Sequence, residues 1–310
     1  MKLIATILAF LTTLSAEAAQ TNTVTDNITA ASVLFSFGSR GHIVVPVSVN
    51  GLPVRNFLFD TAAGHTALNQ NRAEAFSLDR SRFVKARLMR AHGAVDTYMA
   101  PLDSISLAGL TAMDTTAVLI DLADMETTDV SIWGILGFDF FGAYDLEIDY
   151  PAQRLELNKP NEQALGCPAT NEPTHAGARF TLKHGTHVSF PLELNGVTVT
   201  AILDTGSSRS GMNSAAAHAT GVPVKKTTSE PSGHGNASHG GAAGFIGTTI
   251  VEEIQIGGAT LETGATVSVV DLPAFTAFGL TDKPAILIGA NLLKRHRVSV
   301  SYSCNVIRMR

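Results

Sequence analysis

Two aspartates end two matching apolar runs, about half a chain apart, and small residues follow both. Asp60-Thr61-Ala62-Ala63-Gly64 comes after Asn56-Phe57-Leu58-Phe59, and Asp204-Thr205-Gly206-Ser207-Ser208 comes after Ala201-Ile202-Leu203. A carboxylate at the end of an apolar strand is costly unless it is hydrogen-bonded or used. Two of them in matched settings suit one chemistry: facing carboxylates that share a proton and activate a water between them. Like charges about 3 Å apart do not both ionise readily, so one acid stays protonated while the other serves as base. The pair then titrates as a unit. Small neighbours let the two backbones approach, and Ala62, Ala63, Gly206 and Ser207 meet that need. Thr61 and Thr205 are expected to hydrogen-bond to the opposite loop and hold the carboxylates coplanar.

The elements that must position such a pair are themselves repeated. Upstream, Pro46-Val47-Ser48-Val49-Asn50-Gly51 answers Pro191-Leu192-Glu193-Leu194-Asn195-Gly196. Each reads as an alternating strand and an Asn-Gly turn leading into the strand that carries the aspartate. Downstream, Ile135-Leu136-Gly137-Phe138-Asp139-Phe140-Phe141 answers Leu287-Ile288-Gly289-Ala290-Asn291-Leu292-Leu293. The interval from Gly137 to Tyr150 equals that from Gly289 to Tyr302, and each tyrosine opens a turn into a last strand, Arg154 to Leu157 and Val306 to Met309. Landmarks repeated in the same order establish an internal duplication. Between them, each half is expected to send out a hairpin. The first has its tip at His92, Gly93 and Ala94, with Tyr98 on the returning strand; the second has a glycine-rich tip around His234 and Gly235.

Composition sets the frame. With 310 residues, 45% hydrophobic, the chain can build two lobes that each bury a core. A net charge of −5 without a basic patch argues against a nucleic-acid partner. Lys2 followed by the apolar run Leu3 to Leu14 and the small residues Ala16 and Ala18 reads as a secretory leader, cut after Ala18. The run is too short to span a bilayer, and nothing later is apolar enough, so an exported protein, periplasmic or secreted, is expected. Cys167 and Cys304 are the two cysteines. In an oxidising compartment they invite a disulfide between the inter-lobe connection and the C-terminal hairpin, the alternative being two free thiols.

These residues resemble the clan of pepsin-like and retroviral-type aspartic proteases. The chain looks most like bacterial exported proteins that carry two retropepsin-like domains. The resemblance covers roughly residues 36–158 and 180–310, and Ile135-Leu136-Gly137 and Leu287-Ile288-Gly289 are similar to the apolar turn that packs beneath the clan's active-site loop. It implies an all-β fold of two retropepsin-like barrels related by a pseudo-twofold axis. Residues 1–18 are then the leader, 19–35 a flexible lead-in, 36–158 lobe one, 159–179 a linker and 180–310 lobe two. It implies Asp60 and Asp204 as the catalytic dyad, with Thr61, Ala62, Ala63, Thr205, Gly206 and Ser207 as scaffold. Ser207 is expected to hydrogen-bond the outer oxygen of Asp204. The hairpin tips would close over an extended peptide or protein substrate, in a monomer whose two lobes form an intramolecular pseudo-dimer. Ala62 departs from the pattern, standing where the clan has glycine.

Other readings compete. The aspartates could be turn residues capping the backbone after them. The fold could bind peptides in the envelope without cutting them, or each lobe could pair with a lobe of another chain. His234 and His239, with His175, His184 and His187 nearby in sequence, raise the question of zinc, but no compact ligand set such as His-Glu-x-x-His appears. No metal and no cofactor are expected. Ser207 and Ser208 lack the Gly-x-Ser-x-Gly context of a serine hydrolase.

Overall fold

The computed structural model of the chain describes residues 10–11, 30–38, 41–90, 93–125, 130–160, 167, 176–226 and 244–310. It is all-β and divides into two lobes with the same strand order. In the first lobe, the strands run Val84–Arg90, Gly93–Leu107, Leu110–Ile120, Ala67–Asn69, Gly134–Leu136, Arg55–Phe59, Ile43–Val49 and Ser36–Phe37 across the sheet. In the second, the run is Lys225–Lys226, Phe245–Ile256, Ala259–Val270, Gly211–Met212, Ala285–Ile288, Val197–Leu203, His187–Leu194 and Thr181–Lys183. Each sheet closes on itself, Gly93–Leu107 pairing with Ile43–Val49 and Phe245–Ile256 with His187–Leu194. A ninth strand, Phe10–Leu11, pairs with Leu88 and Met89 on the outer edge of the first sheet. The remainder of the expected leader lies outside the described residues.

Local chemistry explains the turns. Asn50 and Gly51 both take positive φ (51° and 69°), as do Asn195 and Gly196 (49° and 78°), the conformation a two-residue hairpin needs for its twist to match the strands. The asparagine side chains are used as well: Asn50 Oδ1 accepts from Asp103 and Ser104 N–H, and Asn195 Oδ1 accepts from Glu253 N–H. Each turn is thereby tied to the long strand that returns from the hairpin.

A six-stranded sheet joins the lobes, in the order Ala176–Arg179, Val306–Met309, Arg297–Ser301, Asp145–Asp149, Arg154–Asn158, Ala30–Leu34. Three strands come from each half, and the two central ones pair antiparallel with Glu147 opposite Ser299. These two residues hold equivalent places in the repeat, so the pseudo-twofold axis passes between them; there Ser299 Oγ donates to Glu147. One continuous apolar core, from Phe59, Phe141 and Tyr144 to Phe190 and Leu203, runs under both lobes.

Two expectations about boundaries change. Within the expected lead-in, 19–35, Ala30–Leu34 is a strand paired residue by residue with Arg154–Asn158. Likewise Ala176–Arg179, within the expected linker, pairs with Val306–Met309. Both are short outer strands held by partners more than a hundred residues away, which local composition does not show.

Cys167 and Cys304 form a disulfide, closing a loop with a sequence separation of 137. Constraining so long a loop in the unfolded chain is worth about 3–5 kcal/mol. Cys304→Ser is therefore expected to lower Tm by about 10 °C. Calorimetry of the oxidised protein checks this, and an unchanged Tm would mean that the bond contributes nothing to the cooperative unit.

Candidate active site

The two aspartate loops are built alike. Asp60 follows strand Arg55–Phe59 and Asp204 follows Val197–Leu203; each strand lies parallel to the apolar strand ending at Gly137 or Gly289. The Asp60 N–H donates to Leu136 O and the Asp204 N–H to Ile288 O, at 3.2 and 3.0 Å. A Cβ on Gly137 would lie 2.5 Å from the His65 carbonyl carbon, and one on Gly289 2.5 Å from Arg209 O. Only glycine permits the turn to pack this closely beneath each loop.

Thr61 and Thr205 lock the loops together. Thr61 N–H donates to Thr205 Oγ1 (3.0 Å) and Thr205 N–H to Thr61 Oγ1 (3.1 Å). Each hydroxyl then donates onward across the axis, Thr61 to Leu203 O (3.1 Å) and Thr205 to Phe59 O (2.8 Å). Four buried hydrogen bonds thus fix the spacing of the two strand ends.

The carboxylates this lock brings together are buried, Asp60 at 1% and Asp204 at 0% exposure. They are not equivalent. Asp60 Oδ1 accepts from Ala62 N–H at 2.8 Å, whereas neither Asp204 oxygen has a full hydrogen-bond partner. Burial pushes the Asp60 carboxyl up to about 7, against the opposing pull of the Ala62, Gly206 and Ala63 N–H groups. Asp204 is pushed well above the usual carboxylate range by burial and then by the charge of Asp60, with Ser207 and Gly206 N–H offsetting part of it. Two acids arranged this way hold one proton between them near neutrality.

Gly206 sets the approach: a Cβ there would fall 2.2 Å from Asp60 Cγ and Oδ2. At the matching place in the first loop, Ala62 is fully buried, and its methyl packs into an apolar cluster of the second lobe that includes Ile202, Val270 and Phe275. Ala63 packs instead into a first-lobe cluster with Val44 and Leu58. Ser207 departs from expectation. Its hydroxyl donates to Arg209 O at 2.7 Å rather than to Asp204, because the carbonyl two residues on lies within reach of its own turn.

The hairpins fall differently. Gly93 and Ala94 begin the returning strand of the first, and Gly93 and Met89 line a cavity of about 850 Å³ together with Asn213, Ser214, Leu272 and Phe275. The first hairpin therefore reaches over the second lobe. Tyr98 is 45% exposed, with its ring 6.5 Å from that of Phe83. His92, His234, Gly235, His239 and His175 lie outside the described residues.

Two pairs of residues take roles that the sequence reading did not assign to them. Asp139 and Asn291 occupy equivalent places in the repeat and hold the far end of each loop. Asp139 accepts from Thr66 N–H and Oγ1, and Asn291 from Ser210 N–H and Oγ. His42 and His187 are the second pair; each stands four residues before the proline that opens the repeat, and extending the repeat upstream would have found them. Among the described residues, no group of three or more His, Cys, Asp or Glu could hold a metal ion, and no helix is long and apolar enough to cross a membrane.

A family model described as "Aspartyl protease" matches residues 45–140 and 190–292. Among solved structures, a retropepsin-like aspartic protease from Rickettsia conorii is 18% identical, over 42% of this chain and 91% of that one, with a TM-score of 0.31. No curated protein matches.

Proposed function

The chain belongs to the aspartyl protease family, and on that premise we propose that it is an endopeptidase in which Asp60 and Asp204 activate a water for attack on a peptide bond. The observation that carries this is the threonine lock, four hydrogen bonds that hold two buried carboxylates at one axis. The ionised acid takes a proton from the water as it attacks the carbonyl carbon. The protonated acid donates to the carbonyl oxygen, and the proton then passes to the departing amine. The chain supplies both halves, so a monomer suffices. Its substrate is an extended peptide bound between the lobes and beneath the hairpins. The leader pattern and the disulfide favour the bacterial envelope as its place of work.

The pH dependence follows from burial. Cleavage needs the dyad singly ionised, and the acid that ionises first is raised to about 7 rather than lying near 4. Below that pH both acids are protonated, and activity falls. We expect kcat/KM to rise with pH through about 7, in a scan of peptide-library cleavage from acid to alkaline. An acid limb near pH 4 would show that water reaches the dyad in the free protein. Silence of the wild type at every pH, with peptide still bound, would select the non-cutting binding protein instead.

A further inference from the structure

His187 is fully buried in the second lobe, yet it bonds to the first. Its Nε2 lies 3.0 Å from the carbonyl oxygen of Ala62. Nδ1 faces the Thr186 hydroxyl at 2.7 Å and, farther off, the Lys183 carbonyl at 3.3 Å. A carbonyl only accepts, and the tautomer with the proton on Nε2 serves the two shorter contacts: Nε2–H donates to Ala62 O while Nδ1 accepts from Thr186 Oγ1. The ring packs edge-on against Phe278, with centroids 5.1 Å apart, which fixes its plane. Ala62 is thus held at both ends: its carbonyl by His187 from across the axis, its N–H on Asp60 Oδ1.

We propose that His187 is a positioning residue: by gripping the Ala62 carbonyl from the opposite lobe it fixes the Ala62 N–H on Asp60, and so selects Asp60 as the member of the pair that carries the charge. The inference rests on the dyad reading above. It accounts for the inequality of the two acids, since Asp204 lacks the full hydrogen bond that Asp60 has. The titratable groups around the ring are His184 and His65; those around Asp60 are Asp204 and, beyond it, the Tyr150 hydroxyl. Burial holds His187 down to about 4. The imidazole therefore stays neutral wherever the dyad works, and its own titration does not enter the profile.

The test is carbon-13 NMR of protein labelled at the aspartate carboxyls, titrated from pH 4 to 9. Wild type, His187→Leu and His187→Gln are compared, and peptide cleavage is followed in parallel. His187→Leu is expected to move the lower dyad pKa up by about one unit, the size of one hydrogen bond to a charged group. The acid limb of kcat/KM should move with it, and kcat should fall about tenfold with KM little changed. His187→Gln, whose amide N–H reaches the same carbonyl, should restore most of both. A lower pKa that does not move in His187→Leu, or a glutamine variant no better than leucine, overturns the assignment. If the leucine variant does not fold, Thr186→Val, which frees the ring tautomer, must show a smaller shift in the same direction; no shift there overturns it too. A shifted pKa in a protein that cuts nothing at any pH would leave the positioning role standing and remove the protease reading.

Discussion

Asp204→Asn is expected to abolish peptide cleavage and, at pH 8, to raise the melting temperature of the protein. The two effects share a cause. General acid and base action is worth about 10²–10⁴-fold, and an amide at this position can neither share the proton nor pass it on, so a loss of about 10³-fold or more follows. The stability effect comes from the same desolvation that prepares the chemistry. Asp204 sits at 0% exposure with no full hydrogen bond to either oxygen, and its folded pKa is raised. A group raised on folding binds its proton more tightly in the native state. Its cost is absent below the unfolded value near 3.8 and accrues as pH climbs toward the folded value. At pH 8 the ionised dyad therefore works against folding. For Asp60 the rise to about 7 corresponds to about 4 kcal/mol at most, and an amide, itself buried, would recover about half of such a cost.

Thermal unfolding at pH 4 and pH 8 separates the cases. A gain of about 5 °C for Asp204→Asn at pH 8, shrinking to nothing near pH 4, is the expected pattern. Asp60→Asn should behave the same way with a smaller gain, because its neutral amide oxygen is a weaker acceptor than the carboxylate for the Ala62 N–H. Cleavage that survives either substitution would end the dyad as the mechanism. A melting temperature unchanged at both pH values would mean that the carboxylates are solvated in the free protein.

How much of this could be read from residues alone depends on how local the cause is. The strands that carry Asp60 and Asp204, the Asn50-Gly51 and Asn195-Gly196 turns and the glycines beneath the loops are all set by short-range pattern, and the repeat doubled each signal. Asp60 and Asp204 come together because the two halves are related by an axis, which duplication alone implies. What the pattern did not carry was long-range or conformational. Strands Ala30–Leu34 and Ala176–Arg179 exist because distant strands offer an edge. The Ser207 hydroxyl turns to a neighbouring carbonyl because nothing in its identity chooses between two acceptors. His187 finds its partner 125 residues away, and although the repeat matches it with His42, nothing in its type or spacing names the carbonyl it meets.

The duplication also leaves one asymmetry that substitution can test. Gly206 and Ala62 hold equivalent places in the two loops, but their surroundings are not interchangeable. A methyl on Gly206 would sit 2.2 Å from Asp60 Cγ, and neither the carboxylate nor the locked loop has slack to give. Gly206→Ala is expected to push Asp60 off the axis and reduce kcat by about 10²-fold, since a displacement near 1 Å costs that much. Overpacking should also cost about 1–3 kcal/mol of stability. Ala62→Gly removes a methyl that already has a place, among Ile202, Val270 and Phe275, and leaves the His187 and Asp60 bonds to its backbone in position. Its expected cost is about 1 kcal/mol of stability, with cleavage within a few-fold of wild type. Steady-state kinetics and thermal unfolding of the two variants decide the matter. If Gly206→Ala cleaves normally, the close approach of the loops is not what prepares Asp60. If Ala62→Gly raises cleavage by an order of magnitude, the alanine is a brake on the second carboxylate rather than a filler of the second lobe.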